Sequence, residues 1–328
     1  MKRIFFFLTV CFAGILFGSC KKKSALTLVM AEVTPRESFV GNVDAAFAEK
    51  VQTLSGGTIT VDVQYAGALG NEKQVMQIIV EKDSVIQLAR CTANLSTYGK
   101  DIPLRSSLLS IPYTFRDDAH FWAFANSITA AELLDEPYLK GLGVKGLFYG
   151  QEGRRHFFST RKIESPADLA GKKIRVTGTI LQHLATAVHA EPVDVPFTDL
   201  YAALATGTVE VAEQPISNYH ANAFHKVAPY MVFDGHMIGA FNVIINAACW
   251  DSLSKKQQEI LKEASQYASD YCKQALEESK AQTIATLQAE GTHFTPVSDY
   301  STWQTLCADM QQDMALVDPA LYQKILAY

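Results

Sequence analysis

"GKKIRVTGTILQHLATAVHA", Gly171 to Ala190, is the stretch whose reading decides the fold. Ile174 and Val176 alternate with Lys173 and Arg175, as on a short strand with one buried face. The period then changes from two to helical over "ILQHLATAVHA". A strand running into a helix is the building unit of an α/β protein. One residue sits oddly in it. Strand interiors favour β-branched and aromatic side chains, yet Arg175 stands inside this one. A solvated strand face accounts for that, and so does a site that needs a fixed cation.

Working outward, the same alternation recurs on both sides. Upstream, "LTLVMAEV" reads as a strand, and residues 35–55 as a helix with Phe39, Val43, Phe47, Val51 and Leu54 on one side. Gly56 and Gly57 stop that helix. "TITVDVQY" is a second strand. "GNEKQVMQIIV" is a helix with Asn71 as N-cap and Gln74 as its reciprocal partner, and "SVIQLAR" is a third strand. "RDDAHFWAFANSITAAELL" reads as one helix capped by Asp117 or Asp118. The alternation restarts near residue 144 with "VKGLFYG", a strand, and "SPADLAG", a short helix. Downstream, "TDLYAALATG" is a helix capped by Thr198 and closed by Gly207; "VEVAEQ" and "FNVIINAACW" are strands. The longest helix runs from about Lys255 to Glu290. It has a Ser254/Gln257 capping box and an apolar stripe of Ile260, Ala264, Tyr267, Tyr271 and Ala275. Its length of about 50 Å exceeds one small domain, so it is expected to bend or to span two. Two βαβ-rich halves and a spanning helix predict two lobes facing a cleft. Ligands in such sheets bind outside the carboxyl ends of strands, where Arg175 lies.

The 328 residues are 48% hydrophobic and 19% charged, an ordinary globular composition long enough for about two domains. A net charge of −5 and no internal basic cluster argue against nucleic acid as a partner. Lys2 and Arg3 precede an uncharged apolar run, Ile4 to Phe17, too short to span a bilayer but suited to a signal peptide. It ends in "LFGSC", which resembles the lipobox of bacterial lipoproteins, with Cys20 as the lipidated residue. Acyl chains there would hold the protein on a membrane without a transmembrane helix. Cys91, Cys249, Cys272 and Cys307 fit no CxxC pattern; buried free thiols are the expected state.

Most chemical motifs are missing or disqualified. "GLGVKG", Gly141 to Gly146, matches GxGxxG, but a helix precedes it and a strand follows, the reverse of a dinucleotide site. Gly141 reads better as a helix C-cap. No HExxH, cysteine–histidine cluster, GxSxG elbow or P-loop occurs, and the carboxylates look scattered. The reading therefore assigns no metal, no cofactor and no catalytic residues. The arginines stand out instead. Arg154 and Arg155 lie in "GQEGRRHFFST", and Arg175 lies in its strand. A guanidinium held in a cleft grips a carboxylate with two parallel hydrogen bonds.

From Gly153 to His236 the sequence resembles the solute-binding proteins of TRAP (tripartite ATP-independent periplasmic) transporters. "LAGKKIRVTG" is similar to that family's "LKGLKIRVPG", and "AEPVDVPFTDLYAALATGTVEVAEQP" to its "GASPVPMPFSEVYTALQTGVVDGQENP". "GALGNEKQV", "IPYTF" and "LSKKQQEILKEA" extend the resemblance outward. It implies a two-lobed periplasmic-binding-protein-like fold of type II, with a ligand cleft and a long C-terminal helix spanning both lobes. The implied division puts 26–152 and 240–279 in lobe I, and 153–239 and 280–328 in lobe II, after a signal peptide at 1–19 and a tether at 20–25.

The resemblance also implies a site. Arg175 takes the place of the arginine that pairs with the ligand carboxylate, and Arg155, with Arg154 as fallback, that of a second arginine. Phe197 takes the place of the stacking phenylalanine. Gln214 stands where the family has asparagine, one methylene longer. Val211 and Ala212 replace a glycine–glutamine pair, and Thr177 a proline. Arg90, at the end of "SVIQLAR", is a lobe I contact. With Ala212 and Phe197 expected to line the site, a fairly apolar acid is one expectation. The implied function is extracytoplasmic capture of a small organic acid and delivery to TRAP permease subunits, at the periplasm or cell surface. A binding protein of an ATP-driven importer and a ligand-sensing lipoprotein are the rival readings.

Overall fold

The structure, a computed structural model, describes residues 25–97 and 104–328. The expected signal peptide and Cys20 lie outside the described residues. Strands β1 (Leu26–Ala31), β2 (Ile59–Gln64) and β3 (Leu88–Thr92) are parallel neighbours. They are followed by β4 (Val144–Ser159), β5 (Lys173–Val176), β6 (Glu191–Asp194), β7 (Val211–Pro215), β8 (Tyr230–Val232), β9 (Met237–Asn246) and β10 (His293–Thr295). The order is β2-β1-β3-β9-β4-β7-β5-β6, with β8 and β10 branching from the far end of β4.

Two lobes share this sheet because β4 and β9 run through both. The first half of β4 pairs antiparallel with β9, and β9 pairs with β3. The second half of β4 pairs with β7 and β8. The register slips between Gln151 and Arg154, where Gly153 has φ +91. Only glycine adopts that backbone without strain, so the bulge sits there. "VKGLFYG" and "GRRHFFS" are thus one sixteen-residue strand, not a strand and a following turn.

Each lobe is covered on both faces. In the first, Phe47, Phe121, Phe241 and Leu261 fill one side and Val75, Ile79 and Ile86 the other. In the second, Leu169, Ile180, Leu184 and Trp303 form one core, and Phe158, Leu204, Tyr219 and Phe224 the other. All ten residues of β9 are buried, as expected of a strand covered on both faces.

The long helix, Lys255–Ala289, has the expected capping box and touches cores of both lobes, through Leu261 and Leu287. Its buried line runs Leu261, Ala264, Ala268, Cys272 and Leu276, displaced from the expected stripe. Small residues face inward because the helix lies close against β4. Ser269 Oγ donates to Tyr149 O at 3.0 Å, and Cys272 Sγ to Gln151 O at 3.3 Å. Tyr267 turns outward beneath Lys50 Nζ, 4.6 Å from the ring centre. Three further expectations are corrected. The helix expected after Arg116 is two, Asp118–Ala125 and Ile128–Leu139, because Ser127 caps the second. Thr198 caps nothing: a 3-10 turn, Phe197–Asp199, precedes helix Leu200–Thr206. Finally, helix Pro319–Leu326 packs Leu321, Tyr322 and Ile325 into the first lobe's core, so 319–328 does not stay with the second lobe. The four described cysteines are free thiols. No helix among the described residues is long and apolar enough to cross a membrane.

Candidate functional site

The strand ends meet between the lobes around a cavity of about 100 Å³. That is space for several waters or a small organic molecule. Arg175, Arg155, Arg90, Phe197 and Gln214 all line it, and so does Thr177. They come from β5, β4, β3, the 3-10 turn before helix Leu200–Thr206, and β7.

The three arginines differ in what already holds them. On β3, Arg90 is gripped by Glu32: Nε donates to Oε2 at 2.8 Å and Nη2 to Oε1 at 2.6 Å. Its Nη1 also lies 3.4 Å from Glu152 and 3.6 Å from Glu72. Arg155 is gripped by Glu213, with Nη2 donating to Oε1 at 2.7 Å and Nε to Oε2. Burial opposes ionisation of Glu213, but the Arg155 charge and hydrogen bonds outweigh it and hold the carboxyl at about 2. Arg175 is different. It is 3% exposed, and Nε donates to Val195 O at 2.9 Å. Among the described residues, no carboxylate lies within 4 Å of it and its Nη atoms donate no hydrogen bond. Burial draws its pKa down to about 10, against the pull of Glu213, so it stays a cation at neutral pH.

Arg154, the fallback, is elsewhere: Nη1 donates to Gly235 O at 3.1 Å and Nη2 to Arg116 O. Successive strand residues point to opposite faces, so only one of the pair faces the cavity. Ala212 is also excluded. It is fully buried in the core with Phe158 and Tyr219, its partner strand being β4. Phe197 does line the cavity and packs edge-on against Phe224, with centroids 5.9 Å apart.

The carboxylates escaped the sequence reading. Glu32, Glu72, Glu152 and Glu213 looked scattered, yet they converge here. Glu32 just follows β1 and Glu213 sits inside a fully buried strand. An acid at such a place was a usable signal, because buried charges are nearly always paired. Asn218 was missed as well. It lies within helix Ile216–Ala221, four residues beyond Gln214, and its Nδ2 donates to Glu152 and, at 3.4 Å, to Gln214 Oε1. Behind Arg155, His236 Nδ1 is 2.5 Å from Asp234 Oδ2 and its Nε2 is 3.4 Å from Glu213 Oε2. Arg155, Glu213, His236 and Asp234 form one buried charged chain under the crossing strands.

Two α/β lobes joined by crossing strands, with a small polar cavity between them, define the class of two-lobed solute-binding proteins. The family model for bacterial extracellular solute-binding proteins, family 7 (DctP), matches residues 30–315, and the chain belongs to this family. It is similar to a solute-binding protein of Verminephrobacter eiseniae, 28% identical over 79% of this chain and 76% of that one. It is similar also to the C4-dicarboxylate-binding periplasmic protein DctP of Rhodobacter capsulatus, 24% identical over 88% and 84%. Among solved structures, it resembles a TRAP periplasmic solute-binding protein of a Polaromonas species bound to D-erythronate. The TM-score is 0.85 and the identity 21%, over 92% of this chain and 98% of that one.

Proposed function

We propose that this protein captures a small organic acid outside the cytoplasm and delivers it to a TRAP-type permease, with Arg175 as the carboxylate anchor. One observation carries this: a buried guanidinium with no carboxylate partner among the described residues lines the cavity, while its two neighbours are already neutralised. A carboxylate is the group such a fork accepts with two parallel hydrogen bonds. Phe197 supplies an apolar wall, and Arg155, Arg90 and Gln214 the remaining polar surface. That a relative binds C4-dicarboxylates and a solved neighbour holds D-erythronate supports an acid as ligand. The neighbour's being a TRAP protein supports TRAP over an ATP-driven importer.

Capture is a closing movement. A ligand that touches both lobes favours the closed form only by the difference in its affinity for the two forms. The lobes divide at the Gly153 bulge and before Ala240, with 319–328 returning to the first. No ligand bond is broken, and the protein is no enzyme. Lipid on Cys20 holds it to a bacterial membrane; Cys20→Ser releases it, and a mutant that still fractionates with lipid contradicts the anchor. Titration calorimetry against a panel of small organic acids tests the site. Arg175→Ala abolishes binding and Arg175→Lys weakens it severely, because the planar fork is lost. Unchanged affinity in both variants would overturn the reading.

A further inference from the structure

Two buried amides meet in the cavity wall. Gln214 stands near the end of β7 and is 3% exposed. Asn218, in helix Ile216–Ala221, is 4% exposed, and both line the cavity. Asn218 Nδ2 donates to Glu152 and, at 3.4 Å, to Gln214 Oε1. That contact sets the other end of each amide. Asn218 Oδ1 is buried and accepts no hydrogen bond among the described residues. Gln214 Nε2 donates none among the described residues. One acceptor and one donor thus stand side by side without partners, although polar atoms of buried side chains are nearly always satisfied. A carboxylate would serve only the donor, and an ammonium group only the acceptor. A hydroxyl both donates and accepts, so it serves the two together. Reversing both amides, as protonation of Glu152 favours, exchanges their roles and still leaves one donor and one acceptor.

The position fits a small ligand. Ile174 on β5 is level with Val211 on its parallel neighbour β7. In that register Arg175 is level with Ala212, and Gln214 lies two residues, about 7 Å, further along. A small acid held at Arg175 spans that distance. Resting on the reading of Arg175 as carboxylate anchor, we infer that the Gln214–Asn218 amide pair reads a hydroxyl of the ligand, and that the protein selects hydroxy acids over acids of the same length without hydroxyls. The hydroxyl donates to Asn218 Oδ1 and accepts from Gln214 Nε2. An acid lacking it leaves both buried amides unpaired, which is the source of the discrimination. This also replaces the expectation of an apolar acid, because Ala212 is outside the cavity.

Calorimetry at pH 7.5 tests it with two pairs of acids of equal chain length: D-erythronate against butanoate, and D-galactonate against hexanoate. At least one hydroxy acid is expected to bind roughly tenfold or more tightly than its counterpart. Asn218→Leu and Gln214→Met each reduce that ratio several-fold, with circular dichroism checking that the variants fold. Reading a ratio cancels any general loss of affinity that either substitution causes. Neither hydroxy acid outbinding its counterpart tenfold, or a preference that survives either substitution, overturns this inference. Arg175→Ala abolishing the binding of whichever acid binds then leaves the carboxylate anchor standing. Arg175→Ala leaving the bound acid's affinity unchanged overturns both.

Discussion

Thr97 and Gly178 meet across the mouth of the cleft, so closely that a Cβ built on Gly178 would lie 2.8 Å from Thr97 Cγ2. Thr97 belongs to the first lobe, and Gly178 starts the helix that follows β5 in the second. Gly178→Ala is therefore expected to obstruct closure and to weaken acid binding at least tenfold. The residue also has φ +73, so any side chain there is strained by about 1–3 kcal/mol. Gly207→Ala is the matched control. Its φ is +75, but nothing lies within 4 Å of its added Cβ. Both variants lose similar stability in thermal unfolding; only Gly178→Ala loses affinity in calorimetry. Equal affinity in the two variants would remove the contact from the closing mechanism.

The Arg155–Glu213 pair is predicted to be costly to break and cheap to replace. Glu213→Gln leaves a part-buried guanidinium without its counter-ion, which destabilises by at most about 3–5 kcal/mol. The double variant Arg155→Met/Glu213→Leu removes both charges and loses less than the single one. Urea unfolding of the two variants beside the parent measures the difference. A double variant no more stable than Glu213→Gln contradicts the prediction.

Stability is predicted to fall with rising pH in the alkaline range because of His236. Burial alone would lower its pKa, but Asp234 and Glu213 outweigh that and hold it at about 9. A histidine protonated more readily in the folded than in the unfolded chain contributes fully below its unfolded pKa, about 6.5. That contribution is lost as pH rises through 9 and amounts to about 3 kcal/mol, from the size of the shift. Glu152 acts with the same sign in a lower window. Burial raises its folded carboxyl to about 7, so its folded form holds a proton that the unfolded form has released above about 4.5. The slope between pH 7 and 9.5 thus contains the His236 loss together with that of the thiols, whose pKa values burial raises above the unfolded value. His236→Asn flattens it in denaturant titrations; an unchanged slope contradicts the assignment.

Gly150 faces Phe241 across the β4–β9 ladder, and an added Cβ would come 2.3 Å from Phe241 Cζ. The ring is buried, with the core on one side and the cavity on another, so it yields only by shifting the cavity wall. Gly150→Ala is expected to cost about 1–3 kcal/mol of stability and, because the Phe241 ring lines the cavity, to weaken acid binding as well. Thermal unfolding and calorimetry on one preparation check both parts.

Much of this was legible before any coordinate. The periods of two and 3.6, the Asn71 and Ser254 capping boxes and the glycine stops at Gly56, Gly57 and Gly207 are local, set by residues within a few positions of one another. They give the α/β alternation, the long helix and the cleft-facing end of β5. Arg175 stood out for the same reason, as a charge inside a short apolar alternation. What misled was equally local in origin. Tyr267 looked like part of one buried stripe because apolar residues are assumed to turn inward, while the helix needed small residues against β4.

The chain by itself determined which residues reach the carboxyl ends of the strands, because alternation and strand length decide where each side chain points. Only the tertiary structure decided which of the three arginines has no carboxylate partner among the described residues. Arg90 is neutralised by Glu32, 58 residues away in sequence, and Arg155 by Glu213, also 58 away. Among the described residues, no donor reaches Asn218 Oδ1 in the same packing. Charge pairing and burial depend on distance in space, which no local period encodes, and in a buried cleft they determine what a guanidinium can still bind.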